Sequence, residues 1–362
     1  KEALASNTTA NYNTAIGRAA MSVNTTGASN TAVGYQALKL NETAADNTAV
    51  GYNALYANTT GASNTAVGKQ SLDANTTGAE SVAIGDHALS AVTTVSAQTA
   101  VGYRALRDNT SGALNTAVGH ETLVVNTTGQ QNTAIGSRAL QVNTTGSYNT
   151  SVGKYTLYAN TTGNSNTVMG MQAMYTNTTG DYNTAIGEHA LFANTTADNN
   201  TAVGYTAMNA NTTGASNVAI GHTALTHNTE GDHNVAVGRQ AMQVNTTADN
   251  NVAVGSAALM SNTTGNTNVA VGRMALTANT TAIQNTAVGN QSLRYNTTGA
   301  QNTAMGQAAL LTNTTGAGNT SIGQNSMYST TTGGLNTVVG YSAMFNNTTS
   351  GGNVAVGYNA LN

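Results

Sequence analysis

The chain has 362 residues, of which 39 are glycine and only 7% are charged, and it contains no proline, cysteine or tryptophan. Its net charge of −3 gives no electrostatic footprint for nucleic acid or for an acidic membrane surface. The absence of cysteine excludes disulfides and thiolate metal sites, and no apolar run is long enough to span a membrane. We therefore expect no nucleic-acid partner and no membrane insertion in this segment.

The dominant feature of the sequence is a repeat of 17 residues. An aliphatic residue or methionine followed by glycine recurs at this spacing from Gly17 to Gly357, without insertion or deletion. With this glycine numbered as position 5, the commonest unit reads N-T-A-V-G-Y-Q-A-L-x-x-N-T-T-G-A-S, and residues 30–46 are one copy. We predict one continuous array over residues 1–362. Since neither end carries an atypical capping repeat, we expect the array to be part of a longer chain.

Each unit predicts the same series of elements. Positions 1 to 4 are typical of a short strand rich in threonine and valine, and glycine at position 5 predicts a turn. Positions 7 to 10 predict a second short strand that carries leucine or methionine at position 9, and N-T-T-G at positions 12 to 15 predicts a second turn. Because glycine and poor helix formers interrupt every unit, no helical repeat fits. The sequence predicts an all-β fold, a parallel β-solenoid or β-roll of about 21 coils with 17 residues and two short strands per coil.

Stacking of coils explains why particular positions vary so little. One coil buries too little apolar surface to fold alone, so coils must pair their backbones with neighbours. We predict that positions 4 and 9 fill a thin core, that asparagines at positions 1 and 12 bond to their copies in adjacent coils, and that glycine at position 5 has positive φ or a close backbone neighbour. The residues singled out for these roles are Val33, Ile84, Leu38 and Leu89 in the core, Asn30, Asn58 and Asn75 in the ladders, and Gly34 and Gly85 in the turns.

Alanine at position 3 indicates contact between chains. Side chains alternate across a strand, so if positions 2 and 4 face the interior, Ala32 and its equivalents face outward. A strand that is apolar on both faces is usually buried on both, and small residues would let another chain approach closely. We expect a bundle of rolls around an axis. The alternative is that alanine is a tolerated surface residue.

Charged residues give a complementary map of the coil. No charged residue occurs at positions 1 to 5, 8, 9, 12 or 15, and every lysine and arginine lies at position 6, 7 or 10. Since ionised groups are costly to bury, this distribution separates the interior of the coil from its surface.

Two segments resemble a known family of repeats. The stretch Ser81–Ala88, S-V-A-I-G-D-H-A, resembles the head repeat of trimeric autotransporter adhesins, the YadA-like family, and Asn217–Gly221 is similar to it. This resemblance implies a left-handed parallel β-roll, three chains around a common axis and an adhesive role on the outer cell surface. The N-T-A-V-G variant also resembles repeats of tail-fibre proteins. The family's usual coil is shorter, with the difference in the N-T-T-G turn, and it implies no catalytic or binding residue.

Candidate sites for chemistry are few. Histidines 222, 227 and 233 are close in sequence but occupy positions 6, 11 and 17, so they do not predict a metal site, which needs converging ligands. Aspartates 181, 198, 232 and 249 share position 16, where a weak calcium site is an alternative to simple solvation. No nucleophile, phosphate-binding or dinucleotide motif is present. We predict no enzymatic activity, no catalytic residue, no cofactor and no metal.

Two recurrent surface features admit a second interpretation. Tyrosine at position 6, as in Tyr35, Tyr52 and Tyr103, predicts turn packing, with contact to a receptor or glycan as the alternative. The N-x-T sequon at position 12 occurs at Asn24, Asn58, Asn75 and Asn126, where the turn itself explains asparagine and glycosylation is the alternative.

These features favour an extracellular fibre, or the shaft or head of an adhesin, on a cell or virion surface. The expected partner is the chain itself, as a homotrimer, with a surface receptor or glycan as a further partner. Alternatives are a phage tail-fibre shaft of the same architecture, a self-assembling extracellular filament, and an ice-binding solenoid that uses the threonines at positions 13 and 14.

Overall fold

The computed structural model describes residues 2–362, which form two compact units. The first ends at Tyr182 and the second runs from Asn183 to Asn362. Strands of the first unit are β1 (Thr14–Ile16), β2 (Thr31–Val33), β3 (Thr48–Val50), β4 (Thr65–Val67), β5 (Val82–Ile84), β6 (Thr99–Val101), β7 (Thr116–Val118), β8 (Thr133–Ile135), β9 (Thr150–Val152) and β10 (Thr167–Met169). Strands of the second are β11 (Thr184–Ile186), β12 (Thr201–Val203), β13 (Val218–Ile220), β14 (Val235–Val237), β15 (Val252–Val254), β16 (Val269–Val271), β17 (Thr286–Val288), β18 (Thr303–Met305), β19 (Thr320–Ile322), β20 (Thr337–Val339) and β21 (Val354–Val356).

Within each unit, every strand pairs in parallel with the next strand along the chain. The register joins equivalent positions of consecutive repeats, so that Thr31 lies opposite Thr48 and Val33 opposite Val50. The same register holds from β1 to β10 and from β11 to β21, and no helix occurs among residues 2–362. The predicted parallel β-solenoid with 17 residues per turn is therefore confirmed.

Each coil contains one strand, and the prediction of two strands per coil is wrong. Positions 6 to 11 form a series of turns, in which positions 7 and 9 are left-handed, as in Gln36 (φ 55°) and Leu38 (φ 52°). The segment still bonds to both neighbouring coils, because the N–H of Gln36 donates to the Arg18 carbonyl and the N–H of Leu38 to the Ala54 carbonyl, each at 3.0 Å. Left-handed geometry directs the adjacent residues 8 and 9 inward together, which an extended strand cannot do.

The core is formed by positions 3, 8 and 9. Ala32, Ala37 and Leu38 have no exposed surface, and the same positions are buried in nearly every coil. The predicted burial of leucine or methionine at position 9 is confirmed. Because this is the one large residue that enters each coil, the opposite wall has room only for small side chains.

Position 4 does not belong to the core, so its predicted role there is wrong. Val33 is half-buried and Ile84 is 39% exposed, while Ala32 of the same strand as Val33 is fully buried. The strand faces the opposite way to that expected because positions 3 and 8 meet across the roll. The hydroxyl of Ser151 donates to the Thr156 carbonyl at 3.0 Å, which shows how closely the two walls approach.

Asparagine ladders at positions 1 and 12 close the coil. The Asn41 amide donates to Oδ1 of Asn24 at 2.8 Å and to the Ala44 carbonyl at 2.9 Å. The Asn30 amide donates to the same Ala44 carbonyl at 2.9 Å, while Oδ1 of Asn30 accepts the N–H of Asn47. Both ladders therefore converge on the carbonyl of position 15, which ties the two ends of each unit together.

Glycine at position 5 is required by the close approach of the next coil. Gly85 has a φ of 136°, and a Cβ on it would lie 2.3 Å from the carbonyl oxygen of Gly102. Gly34 has a φ of 139° with a similar neighbour in Gly51. The predicted positive φ is confirmed, and the residue is fixed both by its conformation and by the lack of space.

Candidate functional site

Two of the outward surfaces of the coil keep one chemical character from coil to coil. The strand face consists of positions 2 and 4, and the turn ledge consists of positions 6, 7 and 10. The singled-out residues Asn30, Asn58, Asn75, Leu38 and Leu89 are buried inside the coil.

The strand face is a flat surface with one aliphatic residue or methionine per coil at position 4. Position 4 retains substantial exposure, as at Ile135 (41%) and Met305 (43%). Position 2, beside it, is threonine in most coils and is half-buried. Since adjacent coils are about 4.8 Å apart, these residues form two parallel rows on the outside of the sheet.

The strand face becomes wholly aliphatic in one part of the second unit. Strands β13 to β16 carry valine at position 2 instead of threonine, and valine or isoleucine at position 4. The eight side chains are Val218, Ile220, Val235, Val237, Val252, Val254, Val269 and Val271. Three of these side chains, Ile220, Val254 and Val271, are exposed and the other five are half-buried.

The turn ledge is basic and aromatic. Aromatic residues on it occur in adjacent coils and stack along the column, as Tyr35 does on Tyr52, with ring centroids 5.3 Å apart and planes 9° apart. Tyr103 and His120 stack in the same way at 5.3 Å, as do Tyr205 and His222. The aromatic rings at position 6 therefore stack on one another along the column and remain partly exposed to solvent.

Two arginines of the ledge form ion pairs with carboxylates. Arg138 donates to Glu121 at 3.0 Å and to the Tyr155 hydroxyl at 3.1 Å, and these bonds raise the pKa of its guanidinium. Arg107 is held by Asp108 at 2.5 Å, which raises the pKa of Arg107. Asp73 differs from these arginines, because burial raises the pKa of its carboxyl and so disfavours its charged form. A hydrogen bond from Gln70 partly offsets this effect.

The histidines and position-16 aspartates of the described residues do not form a cluster of metal ligands. The described residues contain no group of three or more histidine, aspartate or glutamate side chains that could hold a metal ion. Position-16 carboxylates instead accept backbone N–H groups from the preceding coil, as Asp232 does from Ala215 at 2.7 Å and Asp249 from Asp232 at 2.8 Å. Each of these carboxylates thus satisfies a backbone N–H group of the preceding coil.

The sequons lie inside the coil. The Asn58 amide nitrogen is buried and donates both to Oδ1 of Asn41 at 3.0 Å and to the Gly61 carbonyl at 2.9 Å. Asn126 makes the equivalent two bonds. Attachment of a sugar to this nitrogen in the folded coil would break both bonds and require space that the core does not have.

Threonines of the N-T-T-G turn present only a single row to solvent. The hydroxyl at position 13 is committed to the next coil, as when Thr59 donates to the Thr76 carbonyl at 3.0 Å. Position 14 is exposed, for example at Thr60. The two threonines therefore do not form the two-row array that ice binding at this turn would need.

No family model matches this chain, and no curated protein matches it significantly. The described part of the chain also holds no helix that could cross a membrane.

Proposed function

We propose that this chain is a non-catalytic, extracellular structural segment, the shaft or head of a fibre or adhesin, and that its copies associate as a homotrimer. The observation that carries the proposal is the strand face. An aliphatic residue or methionine stands outward at position 4 of every coil, although ordinary monomers seldom expose so long an apolar row. A second copy of the chain would cover it.

The reason for association differs from the one that the sequence indicated. Alanine at position 3 faces the core of its own coil, so it leaves no small-residue face for another chain. Position 4 replaces it as the contact, with threonine or valine at position 2 beside it. Three copies is the number implied by the resemblance to trimeric autotransporter adhesins, and a phage tail fibre or an extracellular filament of the same architecture would use the same face.

The regularity of the coil supports a structural role. The polar groups that recur in nearly every coil bond to neighbouring coils or to nearby backbone, and the buried polar residues are ladder asparagines, Gln98 in the same ladder, and small hydroxyl residues. Such an array holds whatever it carries at a defined distance, and its length changes by whole coils.

Light scattering of the soluble chain at several concentrations tests the proposal. We expect a mass of three times 36.5 kDa. The double variant Val235→Thr/Val252→Thr should dissociate at a higher concentration than the parent, since threonine is tolerated at position 2 of most coils but buries less apolar area. Its circular dichroism should not change.

The matched control is Val244→Thr, which makes the same substitution at position 11, away from the strand face. It should associate like the parent. A mass of 36.5 kDa at every concentration would contradict self-association and leave an isolated solenoid.

A further inference from the structure

The turn ledge gathers the cations of residues 2–362 on one side of the coil. The eleven lysines and arginines occupy positions 6, 7 and 10, whereas eight of the fourteen acids lie at positions 13, 14, 16 and 17. Those eight are Glu42, Asp46, Glu80, Asp181, Asp198, Glu230, Asp232 and Asp249. Positions 6, 7 and 10 hold these eleven cations against five acids (Glu2, Asp73, Asp86, Glu121 and Glu188), so the ledge has an excess of positive charge and attracts an anion.

The ledge is not flat near its first coils. A cleft of about 430 Å³ opens between the position-6 and position-10 columns, where Arg18, Tyr35, Gln36 and Lys39 line it. Two small side chains, Ala19 and Ser22, line it beside these longer ones. A cleft of this size fits a small ligand or one part of a chain-like ligand.

The two cations of the cleft are not held in ion pairs, although the carboxylate of Glu2 lines the same cleft. Within residues 2–362, neither Arg18 nor Lys39 forms an ion pair with a carboxylate, in contrast to Arg107 and Arg138. Instead, the Arg18 guanidinium lies 5.8 Å from the centre of the Tyr35 ring. The Lys39 ammonium lies 5.4 Å from the Tyr56 ring. Tyrosine rings therefore hold both cations in place while leaving their charge available.

We propose that this cleft binds an acidic sugar, the carboxylate- or sulfate-bearing unit of an anionic polysaccharide. A guanidinium and an ammonium recognise the anionic group. The Gln36 amide, the Ser22 hydroxyl and the Tyr35 phenol supply the donors and acceptors that sugar hydroxyls require. The carboxylate of Glu2 borders the cleft, so the ligand's anionic group lies on the side of Arg18 and Lys39.

A polysaccharide fits the ledge better than an acidic peptide does. Peptides are usually held by a free sheet edge or by apolar pockets. The ledge offers neither, because its backbone groups already bond to adjacent coils, as Gln36 does to Arg18 and Gln70 to Tyr52. A linear anionic sugar chain can run along the ledge from the cleft toward Lys69, the next cation at position 6.

This inference rests on the proposed adhesive function, which it extends by naming the class of ligand. The test is calorimetric titration of the full chain with a hexamer of galacturonate, and with the same hexamer methyl-esterified at every carboxylate. We expect binding of the acid, at least tenfold weaker binding of the ester, and weakening as salt is raised. Arg18→Gln/Lys39→Gln should lower the affinity for the acid tenfold or more.

The matched control is Arg273→Gln, an exposed position-6 arginine that does not line the cleft. It should bind like the parent. Equal binding of acid and ester, full binding by the double variant, or tighter binding of a hexa-aspartate peptide than of the sugar would overturn the proposal. Light scattering of the same samples separates the two claims: a trimer without sugar binding contradicts only the cleft, and a monomer that binds the sugar contradicts only self-association.

Discussion

Leu38 illustrates how single residues hold the coil together. It lies at position 9 in a left-handed conformation with no exposed surface, and the largest fully buried side chains of the described chain all share its position. A left-handed non-glycine residue costs about 1–2 kcal/mol. That cost is offset by burial of the whole side chain and by the hydrogen bond from its N–H to Ala54.

Truncation of Leu38 should therefore be far more harmful than truncation of Val33 in the same coil. We expect Leu38→Ala to lower the free energy of unfolding by about 2–5 kcal/mol, and Val33→Ala by less than about 1 kcal/mol in the monomer. Urea unfolding of both variants measures the difference. Equal losses would mean that position 4 is buried as deeply as position 9.

Asp73 provides a pH-dependent contribution to stability. Burial raises the pKa of its carboxyl above the ordinary value of 3.8, so the folded state disfavours the charged form. Below pH 3.8 the carboxyl is protonated in both states and there is no penalty. As pH rises through the unfolded and then the folded pKa, the penalty develops, and it is complete at neutral pH.

We therefore expect Asp73→Asn to be more stable than the parent at pH 7, with the difference disappearing below about pH 3.8. Asparagine can still accept the hydrogen bond from Gln70. Unfolding curves recorded from pH 3 to 7 measure the effect. Asp46→Asn, at an exposed position, serves as the control, and a variant less stable than the parent at pH 7 would show that the charge of Asp73 is favourable.

At the scale of elements, the coil is the unit that must remain whole. Each strand is only three residues long and buries a single small side chain, at position 3, so its stability depends on the register with the strands on either side. The asparagine ladders and position-5 glycines impose the same register on the turns. The position of a residue within the repeat therefore affects the stability of the stack more than the total number of residues does.

Removal of a complete coil should be tolerated, whereas a much smaller change should not. Deletion of residues 47–63 joins position 17 to position 1 and leaves every column aligned. Insertion of one alanine between Ala32 and Val33 displaces the strand against both neighbours and exchanges its inner and outer residues. We expect a folded, slightly less stable deletion variant and a markedly destabilised insertion variant. Circular dichroism and thermal unfolding distinguish them, and comparable losses from both changes would contradict a register-locked stack.

At the scale of the whole molecule, the coil has three regions that differ in chemical character and occupy different positions of the repeat. Positions 3, 8 and 9 and the two asparagine ladders form the interior, the strand face carries one outward aliphatic residue or methionine per coil, and the turn ledge carries the cations and most aromatic rings. Because every coil repeats this division, each property becomes a row along the unit. Two local departures from the repeat change the chemistry of a row. Valine stands at position 2 in β13 to β16, and small residues line the cleft.

The sequence by itself determined the period, the parallel register, the asparagine ladders, the buried leucine column and the glycine turn. All of these follow from an invariant spacing of 17 residues, because any stacked array aligns equivalent residues. Two signals were available but were misread. Positions 8 and 9 are adjacent and never charged, which excludes a two-faced strand, and position 3 admits only alanine, serine or valine, which is typical of a crowded interior.

Only the tertiary structure decided which face of the strand points inward and how positions 6 to 11 reach the next coil. A strand of three residues has too few alternations to specify its inner face, and both Ala32 and Val33 are apolar. The inner face of the strand is decided by the short distance between position 3 and position 8 across the roll. Where positions 3 and 8 meet across a thin roll, only a small side chain fits beside Leu38, so valine at position 4 is directed outward, where it is available to another chain.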